Sequence, residues 1–68
     1  MEIRIKLTKH AKEQMINRGV EKNQIKKAIK MGNKIKQTDG FLSLYGYVAV
    51  AWKKSGEYYK IKTVMVRD

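Results

Sequence analysis

The chain has no cysteine, no proline, one histidine and six acidic residues among its 68. Without cysteine, disulfides and thiolate metal sites are excluded. One histidine leaves no histidine cluster for a metal. No apolar run approaches the roughly 18–20 residues of a membrane span, and no signal peptide is read at the start. No repeat, linker or low-complexity tract interrupts the sequence beyond a bias to lysine. A chain of this length reads as one domain over residues 1–68. Such a chain buries only about 60% of its unfolded surface, so its core is thin. Large pockets and most multi-substrate chemistry are not expected, and no cofactor is implied.

What the chain has instead is positive charge. Sixteen lysines and arginines give a formal net charge of +10. Hydrophobic residues make up 43%, an ordinary globular share, so the charge does not signal disorder. The excess is uneven: Lys22 to Lys36 holds six lysines and no acid. A face that neutralises phosphates needs such a concentration, because each contact releases condensed counterions. Nucleic acid is the commonest polyanion partner, ahead of an acidic protein or an anionic membrane surface. The plain alternative is a solvated lysine face that keeps a small protein in solution. These features together predict a soluble, cytoplasmic, basic domain that uses no membrane.

The periodicity predicts α+β architecture. Glu2 to Leu7 alternates, with Ile3, Ile5 and Leu7 on one side and Glu2, Arg4 and Lys6 on the other. Thr8 then caps a helix over Lys9 to Arg18, stopped by Gly19, with Ala11, Met15 and Ile16 as its apolar side. A second helix over Glu21 to Met31 carries an Ile25, Ala28, Ile29 stripe. Lys22, Lys26, Lys27 and Lys30 fan over roughly 140° of it, away from that stripe. Lys34 to Gln37 is a short strand, followed by a turn at Asp39-Gly40.

From Phe41 to Lys53, Leu42, Leu44, Val48, Val50 and Trp52 keep one parity, with Trp52 in the core. A straight strand of that length would run about 43 Å. A domain of this size has a radius of gyration near 11 Å, so the segment must turn, at Gly46. Lys53 to Gly56 reads as the next turn. The last strand, Glu57 to Val66, puts Tyr59, Ile61, Thr63 and Met65 on one face and Tyr58, Lys60, Lys62 and Val64 on the other. The expected fold is an N-terminal strand, two helices, then a three- to four-stranded antiparallel sheet.

Three stretches of this pattern carry a resemblance: His10-Ala11, then Arg18-Gly19-Val20 with Ile25, and the closing Lys60-Ile61-Lys62-Thr63-Val64. Together they resemble small bacterial and archaeal domains grouped with the RelE- and colicin-like ribonuclease toxins. Nearly the whole chain is covered. Each motif is short, and the order and spacing carry more than any one of them. Glu21 departs from the Ser or Thr that relatives often place as a cap. The resemblance implies a RelE-like fold, RNA as substrate and an acidic antitoxin as partner. It favours Thr63 as a site residue.

Metal-independent RNA cleavage needs a base for the 2′-hydroxyl, a cation for the phosphorane and an acid for the leaving oxygen. His10, in the first helical turn, is the candidate base; its plainer reading is a hydrogen-bonded residue at the strand–helix junction. Arg18 lies about 12 Å further along the same helix side, so it would clamp a neighbouring phosphate. Its alternative is a cation on the last helical carbonyls. Lys62 and Thr63 have opposite parity, so one site holds both only if the strand is bulged.

The catalytic candidates are thus His10, Arg18, Lys62 and Thr63. Lys22, Lys26, Lys30 and Lys60 are the candidate phosphate contacts, with Tyr45 and Tyr58 as stacking surfaces. Two functions follow from different classes: a metal-independent endoribonuclease toxin, or a non-catalytic nucleic-acid-binding module. A basic adaptor for an acidic protein is a third. The oligomeric state is not legible.

Overall fold

The computed structural model describes residues 3–67. Seven elements follow in order: β1 (Ile5–Leu7), α1 (Lys9–Arg18), α2 (Lys22–Met31), β2 (Asn33–Gln37), β3 (Gly40–Tyr45), β4 (Val48–Ser55) and β5 (Tyr58–Val66). They form an α+β fold with two helices and a five-stranded sheet in the order β1-β5-β4-β3-β2. β2 to β5 are antiparallel neighbours, but β1 lies parallel to β5. The sheet is therefore mixed, not the purely antiparallel one expected. The two helices between β1 and the later strands carry the chain back, which lets β1 add in parallel. β1 is also shorter than the alternation implied; Glu2 lies outside the described residues.

Local chemistry sets the helix ends. Thr8 Oγ1 accepts the Ala11 N–H at 3.1 Å and so caps α1. At α2 the Glu21 N–H donates to Gln24 Oε1 at 2.8 Å, a capping-box contact made without Ser or Thr. Both helices cover the same sheet face. Ala11, Ile25, Ala28 and Ile29 pack there on Val48, Val50, Trp52, Ile61 and Val64. Ile25 and Ile61 are fully buried, each stabilising the fold by about 1.5–3 kcal/mol. Ile16, expected beside Met15 on the apolar side, is 81% exposed. One residue further turns it about 100° off the stripe.

Two features overturn the expected parities. The first is the loop Gly46-Tyr47, which pairs Tyr45 with Val48. Gly46 has φ 58 and stands first in the loop, where a two-residue hairpin of this kind needs a positive φ. Phe41 and Ser43 therefore share the helix-covered face with Val48, Val50 and Trp52, while Leu42 and Leu44 face away. The second is a register shift in β5. Trp52 pairs with Ile61 and Ala51 with Thr63, so Lys62 is an extra, bulged residue. Before it, Tyr59 and Ile61 face the helices; after it, Val64 does. Tyr58, Lys60, Thr63 and Met65 consequently lie on the open face. Lys53 and Lys54, read as a turn, belong to β4, and the loop is Gly56-Glu57.

Past β1, the outer edge of β5 is held by α1. Gln14 Oε1 accepts the Val64 N–H at 2.9 Å, which satisfies a backbone donor that no strand reaches. Across the sheet, Gln24 Nε2 donates to the Tyr47 hydroxyl at 2.9 Å and ties α2 to the β3–β4 loop. Among the described residues no helix is long and apolar enough to cross a membrane. The Cα radius of gyration is 10.7 Å.

Candidate nucleic-acid interface

The parallel pairing of β1 with β5 builds a basic part of the surface. Lys6 is the direct cross-strand partner of Lys60, and Lys60 is the partner of Lys53. Three lysines thus stand in one row across β1, β5 and β4 on the open face. Neighbouring strands lie about 4.8 Å apart, so the row is about 10 Å long. Like charges directly opposite one another destabilise a sheet. Lys6 Nζ also sits 4.7 Å from the centre of the Tyr58 ring, a cation–π contact.

Two depressions meet at Lys6 and Tyr58. The larger is an open groove of about 770 Å³ along the β1 edge. Arg4, Lys6, Lys22 and Lys26 line it with Tyr58, and Glu57 is the single acid among the described lining residues. The smaller, about 260 Å³, adds Lys60, Ser55 and Thr8. Together they make a continuous basic track from the start of α2, around the sheet edge, onto the open face. Cations flanking an aromatic ring are what an unpaired nucleic-acid strand requires, with phosphates on the lysines and a base on the ring.

Four of the residues singled out in the sequence meet here: Lys22, Lys26, Lys60 and Tyr58. Lys30 lies further along α2 and lines neither depression. Tyr45 belongs to the opposite end of the sheet. Its partner Val48 and Tyr58's partner Ser55 stand about 23 Å apart along β4, so the two rings cannot stack adjacent bases. Arg4 and Lys6 are the residues sequence reasoning missed. Their shared parity was visible, but not that β5 would lie beside them.

The four catalytic candidates do not converge on the groove. Lys62 and Thr63 do come together, because the bulge turns Thr63 to the open face beside Lys62. Lys62 reaches across β4 to Asp39 in the β2–β3 loop, where Lys53 also arrives. The hydrogen bond from Lys53, its charge, and then the charge of Lys62 hold the Asp39 carboxyl below the usual carboxylate range. His10 and Arg18 are exposed at the two ends of α1. Gln14, between them, is spent on Val64.

A small α+β domain with one open sheet face and a basic groove at its parallel edge is thus the class that fold and site define. Residues 7–66 match the family described as Domain of unknown function (DUF4258), and the chain belongs to that family. No curated protein and no solved structure matches the chain.

Proposed function

We propose that this protein is a RelE-like, cytoplasmic RNA-binding domain that holds a single strand in the β1-edge groove. The observation that carries this reading is the lining itself: Arg4, Lys6, Lys22 and Lys26 around Tyr58, with Glu57 as the one acid among the described lining residues. Two helices on one sheet face, with the other left open, support the RelE-like assignment. The test is binding of a short single-stranded RNA by fluorescence anisotropy over a salt series. Replacing Lys22 and Lys26 with Gln should weaken binding and reduce the log–log salt slope by about 1.4, at about 0.7 per lost phosphate contact. Lys54→Gln is the control, since Lys54 lies over Tyr59 outside the groove. Equal losses from both changes would reduce the charge to a solubility coat.

A second reading, a metal-independent endoribonuclease toxin with an acidic antitoxin over the groove, draws on the bulge. Bulges occur next to active sites, where they re-aim side chains. This one puts Lys62 and Thr63 beside Lys60, where cations could stabilise a phosphorane. His10 would then act from outside this cluster. Purified protein that binds RNA in EDTA yet leaves it uncut across about pH 5 to 9 would remove this reading. If cleavage occurs, Lys62→Gln should lower kcat and leave binding nearly intact.

A further inference from the structure

The row of lysines on the open face ends at a carboxylate supplied by the protein itself. Asp39 sits in the β2–β3 loop, on the far side of β4 from the Lys62 bulge. Its Oδ1 is 3.0 Å from Lys53 Nζ and its Oδ2 3.7 Å from Lys62 Nζ. Lys62 Nζ also donates to the Asp39 backbone carbonyl. Each carboxylate oxygen thus faces a different ammonium. A phosphate would present two of its oxygens to the same pair, and lysine receives phosphate as a point charge with free donors. Lys62 is opposite in parity to the helix-facing Ile61, so it stands on the open face with Lys53, and the bulge brings Thr63 there beside it.

We propose that Lys53 and Lys62 form a phosphate subsite at the end of the Lys6–Lys60–Lys53 row, and that the Asp39 carboxylate is its internal stand-in. The ligand displaces Asp39 by exchange. The Asp39 side chain is 63% exposed, so it can turn into water, and an ion pair this exposed is readily exchanged. The subsite extends the groove: a strand bound along Arg4 and Lys6 continues over Lys60 to reach it. Only this last step rests on the RNA reading; a free phosphate would be bound by the same two lysines.

The probe is inorganic pyrophosphate, titrated into the full chain and followed by the backbone amide shifts of Lys53 and Lys62. Asp39→Asn keeps a turn-compatible residue and removes the stand-in charge. It should bind pyrophosphate about fivefold more tightly than the wild type, the scale set by losing one exposed ion pair. Adding Lys62→Gln to Asp39→Asn should abolish the gain. Glu13→Gln on α1 makes the same change in net charge and should give none. An equal gain from Glu13→Gln, or no gain from Asp39→Asn, would overturn the subsite. A short RNA is the second ligand. If Asp39→Asn gains with pyrophosphate while no variant binds RNA, the subsite stands as a free-phosphate site and the RNA reading fails.

Discussion

Ser43 is the one fully buried polar side chain among the described residues, and its hydroxyl accepts the Trp52 indole N–H at 2.7 Å. Trp52 in turn stacks on Phe41 and meets Tyr59 edge-on, with both centroid separations 5.0 Å. Removing the hydroxyl strands an indole donor in the core. Ser43→Ala should therefore cost about 1–3 kcal/mol, read from the urea midpoint. An unchanged midpoint would mean the indole finds another acceptor. Asp39 makes the other prediction at this scale. Its folded-state pKa is depressed by Lys53 and then Lys62. Its stabilising contribution is present above the ordinary aspartate pKa and fades as pH falls through the lower folded value. Asp39→Asn should remove that part of the acid sensitivity, seen as a flatter dependence of stability on pH at the acid end.

At the scale of elements, the sheet holds a conflict. Lys60 stands between Lys6 and Lys53 in direct register, an arrangement that costs stability unless an anion relieves it. Lys60→Gln should stabilise the free protein by about 0.2–1 kcal/mol and weaken RNA binding at the same time. Thermal unfolding with and without RNA checks both halves. A loss of stability would show that the row is not strained. The β3–β4 hairpin makes a contrasting case. Gly46→Ala meets no neighbour within 4 Å, so its whole effect comes from the positive φ. The expected cost is about 1–2 kcal/mol in the urea midpoint.

For the whole molecule, the +10 charge repels itself across a body whose extents are only 28 × 27 × 23 Å. Added salt shortens the screening length to about 8 Å at physiological strength. Salt should raise the Tm of the free protein while it weakens RNA binding, because one change relieves repulsion and the other restores counterions to the RNA. A Tm indifferent to salt would place the charges too far apart to matter.

The helix bounds were legible in the sequence because caps are local chemistry: Thr8, Gly19 and the Ile25, Ala28, Ile29 stripe each act within a turn or two of chain. The need for a reversal at Gly46 was legible too, from length alone. The faces of the later strands were not. Alternation reports parity within a strand, and a two-residue loop or a one-residue bulge inverts parity without changing the residue types that produce it. Thr63 and Val64 therefore exchanged faces, and so did Phe41 and Leu42. The same limit applied to the candidate site. The sequence by itself determined that the chain is basic, that lysines cluster on α2 and that Lys60 and Tyr58 lie on the last strand. Only the tertiary structure decided that β1 runs parallel beside that strand. A pairing between residues some fifty positions apart depends on the two helices folding the chain back, and no local pattern records it. That pairing brings Arg4 and Lys6 to Tyr58 and joins separate basic stretches into one groove.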